Sequence, residues 1–308
     1  MPSNDSQIVT LVNGQQVGMA VYGADDGFPI LGFHGAPASR LTFELADKVA
    51  RNVGFKLYCP DRPGCGLTPA AEPVTLAARV EIFSMLADAL GLKRFGLLSI
   101  SGGAPYATAL AANLGDRIAV LALVSPKGPI ADLMVASEGH AADVHRGHHA
   151  FFLKVPKYPR LLKACSVIAA RAFLTAPHSF GAMFAKTQSQ PDRDILAEPE
   201  LADAIIRMTK EALRQGVDGA VADLTIYSAP WNIDYTQISA TTVIWQGTCD
   251  RVVPVAATRY LSGMIPHAVF IELPDAGHFW ICNNISEVFA HLRGAIYDQD
   301  EKQIISDT

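Results

Sequence analysis

The chain has no large excess of either charge. Its 25 Lys and Arg against 30 Asp and Glu leave a formal net charge of −5, with an isoelectric point near 6.0. That balance favours neither nucleic acid nor an anionic membrane surface as a partner. Cysteine is sparse and unpatterned: Cys59, Cys65, Cys165, Cys249 and Cys282 are odd in number, and no two form a C-x-x-C pair. No disulfide framework is expected, and reduced, buried thiols fit a cytoplasmic protein. No run reaches the roughly 18 uninterrupted apolar residues that suggest a membrane span. The opening MPSNDSQIVT lacks the basic and apolar regions of a secretory signal, so none is expected. Internal repeats and low-complexity segments are absent. What the chain does have is apolar bulk. Half of its 308 residues are hydrophobic, enough for a sizeable core in one large domain or two smaller ones.

One stretch organises the rest. Phe95 to Ala104 reads FGLLSISGGA. An apolar run stops at Ser101, two glycines follow, and the helix-favouring run Ala104 to Leu114 comes next. This is strand, sharp bend, helix, with a serine at the bend. Small neighbours (Ser99, Gly102, Gly103) suit so tight a turn. The pattern is the G-x-S-x-G nucleophile elbow with serine in place of the first glycine. A glycine-rich turn before a helix also suits phosphate, but neither the G-x-G-x-x-G spacing nor a G-K-[ST] ending is present.

Taken in order, Ile8 to Val12 and Val17 to Tyr22 flank Asn13-Gly14, which predicts a β-hairpin. Strands are predicted at Pro29–Phe33, Phe55–Cys59, Ile118–Val124, Thr242–Trp245 and Val269–Leu273. Helices are predicted over about 40–52, 75–90 and 104–114, with a last helix starting at an Asn284/Glu287 capping box and a frayed polar tail from Asp298. Strands alternating with helices imply a mostly parallel sheet covered on both faces. Between Lys127 and Asp234 the rhythm breaks. Two helical stretches, about 150–174 and 200–215, lie among proline breaks, and no buried strand is evident. The expected organisation is a core formed by residues 1–126 and 236–300, a helical cap at 127–235, and a polar tail at 301–308.

A serine hydroxyl needs a base to remove its proton, and that base is usually a histidine held by a carboxylate. In a parallel sheet such groups collect at the carboxyl ends of strands. Asp250 follows the Thr242–Trp245 strand, and His278 follows Val269–Leu273. Acyl transfer also needs donors for the developing oxyanion. The amide of Gly102 is one candidate. The other is Ala36, in the turn His34-Gly35-Ala36-Pro37 after the Pro29–Phe33 strand, where Gly35 permits close approach of the backbone.

Five segments in this order (HGAP at His34, DRPGCG at Asp61, SISGG at Ser99, GTCDRVVP at Gly247, AGH at Ala276) resemble the α/β-hydrolase superfamily, specifically its capped, esterase-like members. The resemblance implies an eight-stranded, mostly parallel sheet with a cap inserted after the sixth strand. It also implies a triad of nucleophile Ser101, orienting Asp250 and base His278, with Ala36 and Gly102 holding the oxyanion. The implied activity is cleavage of a small to medium carboxylic ester, without a cofactor. A diketone-cleaving C–C hydrolase, a lactonase and a non-catalytic receptor of the same fold remain as alternatives. Relatives that open epoxides or displace halide use a carboxylate nucleophile, so serine at 101 predicts neither activity.

The remaining candidates have plainer readings. His34 is expected to hydrogen-bond its own loop, and Asp61 and Arg62 to pin a turn near the site. Trp280, with Phe279, is expected to line a pocket or pack in the core. His140, His145, His148 and His149 sit among glycines, so a solvated cap segment is expected there and no metal site. The expected partner is a small-molecule substrate, with no nucleic acid or membrane, and a homodimer is left open.

Overall fold

The computed structural model describes residues 5–137, 144 and 146–306. Eight strands form one sheet: β1 (Gln7–Thr10), β2 (Gln16–Gly23), β3 (Phe28–Phe33), β4 (Phe55–Pro60), β5 (Phe95–Ile100), β6 (Ile118–Val124), β7 (Thr241–Gly247) and β8 (Val269–Leu273). Their spatial order is β1-β2-β4-β3-β5-β6-β7-β8. β2 runs antiparallel to both β1 and β4, and the remaining pairs are parallel.

Hydrophobicity explains the middle of the sheet. β6 is apolar at every position and wholly buried. Its side chains alternate between two cores: Leu121 and Leu123 face one, Val120 and Val124 the other. Helices α1 (Asp47–Val53), α2 (Leu76–Ala89) and α3 (Ala104–Leu114) cover the two faces. Phe83 of α2 and Leu110 of α3 seal the first face, and Ala50 of α1 the second. Burying each large apolar side chain contributes about 1.5–3 kcal/mol.

Between β6 and β7 the chain forms α4 (Ile130–Ala136), α5 (Arg146–His149), α6 (Pro159–Thr175), α7 (Pro177–Ala185), α8 (Gln190–Leu196), α9 (Pro199–Ala212) and α10 (Asp218–Ser228), with no strand among the described residues. α11 (Val255–Met264) and α12 (Ile281–Ser306) complete the chain. No described helix is long and apolar enough to cross a membrane.

Five boundaries differ from those the sequence predicts. The hairpin turn is longer than Asn13-Gly14: Leu11 pairs with Gln15, and Gly14 takes φ +83. Leu11 is thereby buried, and Val12 is left 91% exposed at the tip. The predicted 40–52 helix is a 3-10 segment, Arg40–Ala46, capped by Ser39 and running into α1. The 150–174 stretch is broken by its prolines, and a regular helix begins only at Pro159. α12 begins before Asn284, whose backbone (φ −127, ψ 19) interrupts the helix while its amide donates to the Trp280 carbonyl at 2.7 Å. α12 also continues to Ser306 instead of fraying at Asp298. No glycine or proline follows Gly294 within that stretch, so nothing stops it.

Candidate active site

Ser101 stands between β5 and α3 with φ +52, in the left-handed region that a serine seldom occupies. Its surroundings hold it there. The Ser101 carbonyl accepts from the amides of Ala104 and of Lys127, the latter at 2.9 Å. The glycines beside it are required by close approach. A Cβ on Gly103 would lie 2.5 Å from the Phe33 carbonyl oxygen, and one on Gly102 would lie 2.3 Å from the Tyr227 hydroxyl. This crowding is the physical content of the SGG pattern.

The structure brings the three predicted residues together. The Ser101 hydroxyl is 3.0 Å from His278 Nε2, and His278 Nδ1 is 2.8 Å from Asp250 Oδ2. Nδ1–H donating to the carboxylate leaves Nε2 free to accept from the serine hydroxyl. Asp250 is set by three further donors: Gln246 Nε2 at 3.0 Å, Val252 N at 2.8 Å and Val253 N at 3.0 Å. Burial favours a neutral Asp250, but the His278 contact and these hydrogen bonds outweigh it, and the carboxyl is held below its ordinary range. For His278, burial alone would lower the pKa. The charge and hydrogen bond of Asp250, and the charge of Asp192, outweigh it and leave the imidazole above its ordinary value.

Ala36 and Gly102 lie on adjoining turns beside Ser101. A Cβ on Gly102 would come within 3.0 Å of the Ala36 methyl, and one on Gly35 within 3.5 Å of Ser101 Cβ. His34 is buried. It contacts the Gly35 carbonyl through Nδ1 at 2.8 Å and accepts the Arg62 amide at Nε2 at 3.2 Å. Burial, then the Arg62 charge, push its pKa well below the ordinary histidine value, so it is neutral.

A sequence model of the alpha/beta hydrolase family matches residues 30–286. The chain belongs to that family. No curated protein matches it. Among solved structures, epoxide hydrolase A from Mycobacterium thermoresistibile is similar at TM-score 0.69 and 18% identity, covering 95% of this chain and 98% of that one. An alpha/beta hydrolase fold protein from Nakamurella multipartita is similar at TM-score 0.68 and 21% identity, covering 94% and 98%. An esterase from Exiguobacterium antarcticum is similar at TM-score 0.67 and 17% identity, covering 95% and 99%. At such identities the likeness is one of fold.

Around the site of this alpha/beta hydrolase, a buried ion pair (Arg62–Asp223) and a partly buried one (Arg40–Glu211) join the core to the β6–β7 segment. The Arg62 guanidinium bonds both oxygens of Asp223 from α10 and donates to the carbonyls of His34 and Gly35, the latter at 2.7 Å. Tyr106 of α3 donates to Asp223 at 2.5 Å, and Tyr227 donates to the Gly102 carbonyl at 2.7 Å. Asp61 accepts from the Arg40 amide at 2.7 Å, the Leu67 amide at 2.8 Å and the Arg40 guanidinium at 2.9 Å, while Arg40 also reaches Glu211 of α9 at 2.7 Å. Arg62 therefore supports the turn bearing Ala36, and Asp61 ties its own loop to the start of the Arg40–Ala46 segment.

Trp280 lies elsewhere. It is half-buried against the core, at the end of the turn that leads from His278 into α12. Phe279 instead stands by the site, with its ring 5.3 Å from the His278 ring and 6.2 Å from that of Phe184 on α7. His148 bonds the Arg251 carbonyl at 3.0 Å. His140, His145 and the His149 side chain lie outside the described residues. Among the described residues no group of His, Cys, Asp and Glu is arranged to hold a metal.

Sequence reasoning missed the contributions from the β6–β7 segment: Asp192, Asp223, Tyr227 and the buried Lys127 at its start. The one local signal was Ser189-x-x-Asp192, a helix-start pattern that marks a cap and says nothing of a distant histidine.

Proposed function

We propose that this protein is a serine hydrolase that cleaves a small to medium carboxylic ester through an acyl-enzyme. The contact of Ser101 Oγ with His278 Nε2 at 3.0 Å, backed by Asp250, carries the reading. Ser101 Oγ attacks the carbonyl carbon as its proton passes to His278 Nε2. The oxyanion is held by the amides of Ala36 and Gly102. His278 then protonates the leaving alcohol, and the acyl group remains on Ser101. Water, losing its proton to the same imidazole, releases the acid and restores the serine. Asp250 stays ionised and stabilises the imidazolium.

Serine at 101 argues against epoxide opening, in which a carboxylate performs the displacement. The helices between β6 and β7 act as a cap over the site, and Phe184 and Phe279 supply its apolar wall. The protein is expected in the cytoplasm.

The test is labelling by a fluorophosphonate, with turnover of p-nitrophenyl esters of increasing acyl length. Labelling and turnover that vanish in Ser101→Ala support the reading. A wild-type protein that reacts with neither overturns it. Turnover confined to a diketone or a lactone replaces the ester with that substrate, and saturable binding without turnover makes the protein a receptor.

A further inference from the structure

Asp192 is fully buried at the first turn of α8, and Ser189 Oγ donates to its Oδ2 at 3.1 Å. The same carboxylate spans two backbone amides of the histidine loop. Oδ2 accepts from His278 N–H at 2.9 Å, and Oδ1 accepts from Phe279 N–H at 2.8 Å. The approach is close enough to need glycine at 277, where a Cβ would sit 2.2 Å from the Asp192 carboxyl carbon. Asp192 is in no ion pair with a Lys or Arg among the described residues, so its buried charge depends on these donors.

We propose that Asp192 is a positioning residue for His278: through this carboxylate the segment inserted between β6 and β7 holds the histidine loop, and the Ser101–His278–Asp250 arrangement is complete only while that segment is docked. The inference rests on His278 serving as the base. The side chains facing the histidine are Ser101 after β5, Ser125 after β6 (whose hydroxyl donates to the His278 carbonyl at 3.1 Å), Asp250 after β7, Asp192 from α8 and the Phe279 ring. Only the two aspartates carry charge. Both favour the imidazolium that forms as Ser101 attacks, so Asp192 supports the base by electrostatics as well as by its backbone bonds. A purely structural tether would supply the bonds without the charge.

Asp192→Asn separates the two roles, because it keeps the shape, removes the charge and retains one acceptor. Two readouts apply: an NMR titration of the His278 ring, and the pH dependence of fluorophosphonate labelling. In Asp192→Asn the imidazole should titrate at lower pH than in the wild type. Plateau labelling should slow about tenfold, the scale of one lost charge-assisted hydrogen bond. Arg207→Ala removes an exposed contact between the same segment and Glu44 and should change neither readout. A folded Asp192→Asn protein with wild-type titration and labelling overturns the proposal.

Hydrogen exchange on the wild type gives an answer that does not depend on the variant folding. The His278 and Phe279 amides should exchange in one opening event with the amides of α8. If α8 opens while those two remain protected with the sheet, the proposal is wrong. Absence of any wild-type labelling would overturn the serine-hydrolase reading instead, while titration and exchange would still report on Asp192.

Discussion

The Arg62–Asp223 pair offers the sharpest energetic test, because both side chains are almost completely removed from solvent, at 1% and 5% exposure. Asp223→Ala leaves the guanidinium buried with only two backbone carbonyls, and it strips the Tyr106 hydroxyl of its acceptor. Breaking one side of a buried pair costs about 3–5 kcal/mol. The exposed Arg207–Glu44 pair, at 49% and 45% exposure, sets the contrast, since pairs of that kind contribute about 0–1 kcal/mol. Urea unfolding of Asp223→Ala and Glu44→Ala should therefore separate by at least about 2 kcal/mol. The double variant Arg62→Met/Asp223→Leu refines the argument. Apolar replacement of a buried pair is often neutral, but here Arg62 also satisfies the His34 and Gly35 carbonyls. The Gly35 carbonyl keeps its contact with His34 Nδ1, but the His34 carbonyl loses its donor, which costs about 1–3 kcal/mol, so the double variant should regain only part of the stability. Its labelling by a fluorophosphonate should stay slow, because those carbonyls belong to the turn that presents Ala36. An Asp223→Ala protein within about 1 kcal/mol of wild type, the range of an exposed pair, would refute the view that this pair braces the site.

Other outcomes follow from the same geometry. Hydrolysis should fall toward acid as His278 protonates, and with the imidazole held above its ordinary value the midpoint should lie above 6.5; a flat profile from there downward would remove His278 as the base. Gly277→Ala should destabilise by about 1–3 kcal/mol in thermal or urea unfolding, as overpacking does, because the new methyl meets a carboxylate fixed by three donors. Lys127 is buried with its Nζ 4.0 Å from the Phe152 ring centre, and burial pushes its pKa well below the ordinary value. The unfolded chain then binds the extra proton, so stability rises with pH until the unfolded lysine titrates near 10.5. Lys127→Met should raise stability near neutral pH, with a gain that shrinks as pH approaches that value; a pH-independent difference would contradict the sign.

Much of this fold was legible locally. β6 reads as a strand because seven consecutive apolar residues suit burial on both faces. Ser101, Asp250 and His278 were legible because each follows such a run at the end where parallel strands gather their loops, and small residues mark the bend at Ser101. The hairpin was legible in kind but not in register, since Asn13-Gly14 does not say whether Leu11 or Val12 turns inward. Trp280 could not be placed from its type, because one residue separates the wall of the site from the core beneath α12.

By itself the sequence determined the alternation of strand and helix, the strained serine turn and the order of the three residues that meet. These rest on near-neighbour chemistry: apolar periodicity, glycine and proline, small side chains at a bend. Only the tertiary structure decided what braces them. Asp192 meets His278 across 86 positions and Asp223 meets Arg62 across 161. No periodicity spans such separations. A buried carboxylate acquires its partners when the segment between β6 and β7 packs down and water is expelled, so its role is written in the packing and not in the residues beside it.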